Sequence, residues 1–156
     1  MRRTGLCRVA LVLIYGAFCV VGCERKGEIN RGIAAEIRRS CVGAPNCKIA
    51  VKQITRFDWD KLYVFSSQMN ESERSKVLGV KDDGFQELQQ QLVFTKNGAV
   101  VYEESELADI ETPSRDEVLF DRAVEQRYEA FGHDATFEAA IVDGSASRYY
   151  TLRQIQ

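Results

Sequence analysis

The chain has 156 residues, of which 45% are hydrophobic and 28% are charged, and its formal net charge at pH 7 is −2. These values exclude a disordered or fibrous chain and are typical of one globular domain. Because the charge is slightly acidic and no basic patch stands out along the sequence, we expect no nucleic-acid partner.

The first segment of the chain is predicted to direct export. Arg2, Arg3 and Arg8 are the only charged residues before Cys23, and residues 9–21 carry no charge. This run is too short for a bilayer span, which needs about 20 apolar residues. A positive start followed by a short apolar run is typical of a signal peptide. An uncleaved anchor helix stays open as an alternative, although it would place Arg8 inside the membrane.

The tetrapeptide Val-Val-Gly-Cys that ends at Cys23 resembles the lipobox of bacterial lipoproteins. This resemblance implies that the Cys23 thiol receives diacylglycerol, that the chain is cleaved just before it, and that the new amino terminus is acylated, with palmitate as an expected chain. Residues 1–22 would then be the signal peptide, residues 23–31 a lipidated tether, and residues 32–156 a single periplasmic domain. Glu24 follows the lipidated cysteine, and by analogy with enteric bacteria this favours the outer membrane over the inner one.

Cys41 and Cys47 are predicted to form a structural disulfide. They are the only cysteines that remain once the signal peptide is removed and Cys23 is lipidated, and the periplasm is oxidising. The turn-forming residues between them bring their ends together. A free pair or a redox-active pair stays open as an alternative. Zinc is disfavoured because two thiols with only His133 do not complete a site, so we expect no metal and no cofactor.

Apolar spacing predicts a helix and then two strands in the first half of the mature chain. Ile29, Ile33 and Ile37 lie four residues apart and form one helical stripe. Residues 48–54 alternate well enough for a strand, and residues 60–66 are rich in β-branched and aromatic side chains.

Capping and turn signals indicate the elements that follow. Asn70 with Glu73 is typical of the start of a short helix that ends at Gly79. The dipeptide Asn97-Gly98 between two apolar runs is a strong hairpin signal, and Asp143-Gly144 indicates a second hairpin. The strands joined by these turns are predicted at residues 89–95, 99–104, 136–142 and 147–155.

A third helix is predicted from Ser114 through Phe131. Ser114 with Glu117 offers a cap, while Phe120 and Tyr128 belong to a stripe at helical spacing. Together, these elements predict an α+β fold, with an antiparallel sheet of about six strands and two or three helices packed mainly on one face.

Catalytic motifs do not stand out in the sequence. It contains no nucleophile elbow, phosphate-binding loop or paired-histidine helix. His133 is the only histidine, and its position just past Gly132 predicts a turn residue rather than a general base. We therefore expect that the protein is not an enzyme.

The aromatic segment at residues 57–65, FDWDKLYVF, is the candidate for partner binding. It is similar to a segment of small bacterial lipoproteins of unassigned function. Trp59 and Tyr63 would anchor a partner if they were exposed, with Asp58 and Asp60 beside them. The alternative is that the aromatic side chains are core and the two aspartates shape the entry to the strand. An early strand start would place all four aromatic residues of the segment on one face.

These features together predict a membrane-anchored lipoprotein of the bacterial envelope with a non-catalytic binding domain. The domain would act as an inhibitor or immunity-type protein that blocks a toxin or a wall hydrolase. The alternative is an accessory or assembly subunit of an envelope complex. In either case the expected partners are the membrane, through the N-terminal lipid, and a protein, and the domain is expected to fold as a monomer.

Overall fold

A computed structural model describes residues 27–44, 47–81, 85–86, 88–106, 112–121, 126–145 and 147–155. The predicted signal peptide and the predicted lipidation site at Cys23 lie outside these residues. Among the described residues, no helix has both the length and the apolar character needed to cross a membrane.

The described ranges contain helices and strands in an α+β order, which confirms the predicted class. The elements are α1 (Glu28–Ser40), β1 (Cys47–Ala50), β2 (Lys61–Phe65), α2 (Glu71–Leu78), β3 (Gln90–Lys96), β4 (Ala99–Glu106), β5 (Val118–Phe120), β6 (Tyr128–Gly132), β7 (Thr136–Asp143) and β8 (Arg148–Gln154). The strand predicted at residues 48–54 is shorter than expected, because a 3-10 turn, Val51–Gln53, follows β1.

The strands form two sheets rather than the single sheet that the sequence predicted. Sheet A has the order β1-β7-β8-β5, and sheet B has the order β4-β3-β2-β6. All neighbouring pairs are antiparallel except β5 and β8, which are parallel. Because one apolar face of each sheet must be buried against another element, the main core lies where the two inner faces meet.

Aromatic side chains join the two sheets across this core. Phe131 of β6 in sheet B packs against Phe137 of β7 in sheet A, with ring centroids 4.9 Å apart. The Phe120 ring of β5 lies 6.2 Å from the Phe131 ring. The stripe of α1 enters the same core, since Ile33 and Ile37 are fully buried there. The helix predicted from this stripe is confirmed.

The second helix covers the outer face of sheet B. Asn70 and Glu73 form a reciprocal capping box at its start, and Gly79 ends it in the left-handed conformation, as predicted. Phe65 and Val93 on this face are fully buried in a small second core that also contains Leu78 and Met69. Sheet B is therefore buried on both faces in this region.

The helix predicted from Ser114 through Phe131 is wrong. The region forms β5 and β6 instead, while residues 122–125 of the prediction lie outside the described part of the chain. The Glu117 carboxylate does accept a hydrogen bond from the Ser114 N–H, as in a helix cap. However, the Tyr150 N–H donates to the Glu117 carbonyl at 2.8 Å, which begins the parallel pairing of β5 with β8. Pairing with a strand distant in sequence thus overrides the local helical pattern.

Folded structure begins earlier than the predicted boundary at residue 32. Residues 28–31 form the first turn of α1, and Ile29 and Asn30 are buried. These four residues, which the sequence assigned to the predicted tether, therefore belong to α1.

Candidate functional site

Trp59 lies in the core rather than on the surface. Only 3% of it is exposed, and its ring centroid lies 5.2 Å from that of Phe94 and 4.8 Å from that of His133. Its indole N–H donates to the Thr55 hydroxyl at 2.9 Å, so its one polar atom is satisfied inside the fold. The structure thus assigns Trp59 to the core alternative, and the exposed-anchor hypothesis is wrong for this side chain.

The two aspartates beside Trp59 have different surroundings. Asp60 accepts the Asn97 N–H at 2.7 Å and contacts the Lys96 ammonium at 3.0 Å, so it fixes the hairpin between β3 and β4. The Asn97 hydrogen bond and then the Lys96 side chain lower the pKa of Asp60. Asp58 is exposed. Asp60 therefore has a structural role, although its side chain is 43% exposed.

Tyr63 lies on the opposite face of sheet B from Trp59. Leu62 and Val64 point into the main core, whereas Tyr63 is half-buried and stacks on Phe65 at 5.9 Å on the outer face. The early strand start that would place all four aromatic residues of this segment on one face does not occur, because β2 begins only at Lys61. The four candidate partner-binding residues do not form one surface.

Cys41 and Cys47 are joined by a disulfide, which confirms the predicted pair. Their Cα atoms are 5.2 Å apart. The bond links the residue that follows α1 to the first residue of β1. It therefore fixes the end of the helix to an edge of sheet A.

A cluster of arginine and aspartate side chains surrounds an open depression of about 730 Å³ at one edge of the domain. We call it the arginine depression. It combines the last turn of α1, the segment before β5 and the hairpin between β7 and β8. Its lining residues are Arg38, Arg115, Asp116, Asp143, Ser147, Arg148 and Tyr150.

Ion pairs hold the arginine side chains in place around the depression. Arg38 Nη1 lies 3.0 Å from Asp116 Oδ2, and the buried Tyr150 donates its hydroxyl to Asp116 Oδ1 at 2.8 Å. On the facing hairpin, Arg148 Nε donates to Asp143 Oδ1 at 2.7 Å. Two guanidinium groups are thus each paired with a carboxylate, and the carboxylate beside Arg38 is also bound to the buried Tyr150.

The electrostatics of the depression keep its groups in defined charge states. Burial alone would raise the pKa of Asp116, but the Tyr150 hydrogen bond and the charge of Arg38 outweigh it and lower that pKa. Burial, together with the bond to Asp116, raises the pKa of Tyr150. At neutral pH, Asp116 is therefore ionised and Tyr150 is a neutral donor.

The backbone is strained where the depression is built. Asp116 has a φ of 60°, a left-handed conformation that side chains other than glycine seldom adopt. Its N–H donates to the Arg148 carbonyl at 2.9 Å, which holds this conformation against β8. Backbone strain of this kind clusters at functional sites. The strain and the charge cluster thus coincide at one place in the fold.

No local pattern in the sequence predicted the arginine depression. Its members are far apart in the chain, and the parallel pairing of β5 with β8 that brings them together leaves no local signal. Its signs in the sequence are the adjacent pair Arg115-Asp116 and the residue Arg148, which follows the turn at Asp143.

Among the described residues, no group of three or more histidine, cysteine or acidic side chains could hold a metal ion. Comparison of the chain with protein-family models, with curated proteins and with solved structures finds no match.

Proposed function

We propose that the protein is a lipid-anchored binding protein of a bacterial envelope, held by Cys23 and without catalytic activity, whose domain faces the periplasm. Its role is to bind and block a protein partner, as an inhibitor or an immunity-type protein does. The outer membrane is the favoured location, because Glu24 follows the anchor cysteine. The arginine depression is the surface that we assign to the partner.

The disulfide between Cys41 and Cys47 is the observation that carries the exported location in this proposal. Structural disulfides persist in oxidising compartments such as the periplasm and are rare in the bacterial cytosol. A lipobox cysteine followed by a disulfide-bonded domain therefore gives two independent indications of export. One comes from the sequence and the other from the fold.

The start of α1 lies close in sequence to the proposed lipid anchor at Cys23. The Glu104 carboxylate of β4 accepts the Ile29 and Asn30 N–H groups at 2.9 Å each, so this strand caps the helix. A side chain at Gly27 would place its Cβ 2.1 Å from the carboxyl carbon of Glu104, so it would displace this carboxylate from the start of the helix. Gly27, beside this cap, is four residues after Cys23, a span of at most about 14 Å for an extended chain. A lipid at Cys23 would hold the domain close to the bilayer.

The position of the arginine depression relative to this anchor supports its role in binding. Arg38 lies near the end of α1, about 16 Å along the helix axis from Gly27 at 1.5 Å per residue. The depression is therefore at the opposite end of the helix from the anchor. A surface in this place is accessible to a partner in the periplasm.

Palmitate labelling and partner capture test the proposal. The chain expressed in a bacterial host should incorporate labelled palmitate and fractionate with membranes, whereas Cys23→Ser should do neither. Capture from envelope extracts should recover a partner that Arg148→Gln no longer retains. An unlabelled protein, or one found in the cytosol, would contradict the anchor. Recovery of an intact assembly complex, rather than a toxin or hydrolase, would favour the accessory-subunit alternative.

A further inference from the structure

We propose that the arginine depression binds a carboxylate group of a peptide or protein, held between the guanidinium groups of Arg38 and Arg148. The inference deepens the proposed function, since it rests on a protein as the partner and names the chemical group that is recognised. Four observations support it: the unused hydrogen-bond donors, the carboxylates already paired with both arginines, the charge of the depression and its size.

Arg38 and Arg148 each have guanidinium N–H donors that they do not use within the described part of the chain. A guanidinium group has five N–H donors in a planar fork that matches a carboxylate. Within the described part of the chain, Arg38 uses its donors on Asp116 and Tyr150, and Arg148 donates through Nε to Asp143. Their side chains are 49% and 57% exposed, so the remaining N–H groups are open to a ligand.

Both guanidinium groups already contact a carboxylate before a ligand arrives, and the carboxylate beside Arg38 is held by the fold. Asp116 is held by the Tyr150 hydroxyl and by its own N–H bond to the Arg148 carbonyl, while Asp143 is the last residue of β7. A ligand would therefore not have to order the Arg38 side chain, and it would meet Arg148 already paired with Asp143. Orientation in advance reduces the entropy lost on binding.

The charge of the depression selects a monoanion. Three arginines and two aspartates are among the lining residues, which is a formal excess of one positive charge in this set. Asp116 stays ionised because its pKa is lowered, so this carboxylate repels a second negative charge. A peptide carboxylate carries one negative charge, whereas a phosphate monoester carries nearly two at neutral pH. The lining thus favours a carboxylate over a phosphate group or a nucleic acid.

The size of the depression fits several residues of a peptide. Its volume of about 730 Å³ lies within the range of sites that bind small molecules or short segments. A second depression of about 440 Å³ beside the disulfide offers a contrast. It contains Arg153 together with Asp121 and Glu138, so it has an excess of negative charge. The positive excess is therefore a feature of the arginine depression and not of every concave surface.

Titration of the full-length lipoprotein in nonionic detergent tests the inference, with the arginine Nε–H resonances as the readout. Four probes are used: acetate, inorganic phosphate, a neutral peptide with only a free C-terminal carboxylate, and an end-capped peptide with one central glutamate. The two peptides separate a C-terminal from a side-chain carboxylate as the source. An end-capped neutral peptide serves as the blank.

We expect at least one carboxylate peptide to shift the Arg38 and Arg148 resonances along a saturable curve. Arg38→Gln and Arg148→Gln should each weaken this binding by about tenfold or more, because each removes charge-assisted donors. Arg153→Gln is the matched control, since Arg153 also donates through Nε to an aspartate, Asp121, at 2.9 Å on the same strand as Arg148. It should leave binding unchanged.

Several results would overturn the inference: no saturable shift with any carboxylate, equal binding of the blank peptide, tighter binding of phosphate, or an equal loss in Arg153→Gln. Circular dichroism of each variant distinguishes lost binding from lost folding. If Arg38→Gln unfolds, Arg148→Gln still decides the question. Failure of palmitate labelling would remove the proposed location without affecting this titration, so the two proposals fail independently.

Discussion

The Arg74 guanidinium of α2 donates to the Glu103 carboxylate of β4 at 2.8 Å, although Arg74 itself is fully buried. It also donates to Gln91 of β3 and lies 5.5 Å from the Phe65 ring centroid. One charged side chain thus links the only helix on this face to three strands of sheet B among the described elements. An acidic side chain, an amide and an aromatic ring are thus among the partners of this buried charge.

Arg74→Met should destabilise the domain by about 3 kcal/mol, because it leaves the buried Gln91 and the Glu103 carboxylate without their main donor. Urea unfolding measures the loss. Arg127→Met is the control, since Arg127 contacts Glu73 at 2.7 Å but is 55% exposed. Exposed pairs contribute about 0 to 1 kcal/mol. Equal losses in the two variants would show that the buried network has no special role.

Glu104→Gln should destabilise α1 by about 1 to 2 kcal/mol, because the carboxylate accepts two N–H groups of the first turn and an amide has only one acceptor oxygen. Hydrogen exchange at Ile29 and Asn30 should become faster. Glu28→Gln removes the same charge at the same helix end from an exposed residue and should cost less. Unchanged exchange in Glu104→Gln would contradict the capping role.

Trp59→Ala should lower the free energy of unfolding by about 3 to 5 kcal/mol, the usual cost of removing a large buried aromatic side chain. Tyr63→Ala is the comparison, because Tyr63 is half-buried on the outer face of sheet B and should cost less. Thermal unfolding of both variants measures the difference. An unchanged melting temperature in Trp59→Ala would contradict the assignment of Trp59 to the core.

Replacing both Cys41 and Cys47 by serine should destabilise the domain by about 2 kcal/mol or less, because the disulfide closes a short loop and constrains the unfolded chain only modestly. Chemical reduction of the native protein should produce a similar loss. Thiol titration before reduction should find neither cysteine free. Two reactive thiols at this stage would disprove the bond.

The pH dependence of stability should reveal the contribution of the ionised Asp116 carboxylate to the fold. Its pKa in the folded state is lowered, so the ionised carboxylate stabilises the fold at neutral pH. This contribution is lost as the pH falls from about 4, the ordinary aspartate value, through the lower folded-state pKa. Asp116→Asn should therefore flatten the acid side of the stability curve, and asparagine still tolerates the left-handed backbone there.

Asp58→Asn is the control for this experiment, since it removes one carboxylate from an exposed position outside the depression. Its stability curve should keep the slope of the wild type. If Asp116→Asn and the wild type lose stability in parallel on acidification, the Asp116 carboxylate makes no net contribution to the fold.

Local sequence signals determined several elements of this fold correctly. The stripe from Ile29 to Ile37 predicted α1, and the Asn70 capping box predicted α2. Asn97-Gly98 predicted the hairpin of β3 and β4, because both residues have the positive φ that such a two-residue turn requires. Each of these signals acts between residues close together in the chain, so the sequence alone contains the information.

The tertiary structure alone decided the remaining features. Phe120 and Phe131 match a helical stripe in the sequence, but they lie in different sheets and face each other across the core. The segment forms strands because pairing with β8 and β2 satisfies its backbone, which is a long-range interaction. The arginine depression depends on the same pairing. The sequence thus determined the local elements, whereas contacts between distant strands determined the two sheets and the cluster of charges at their edge.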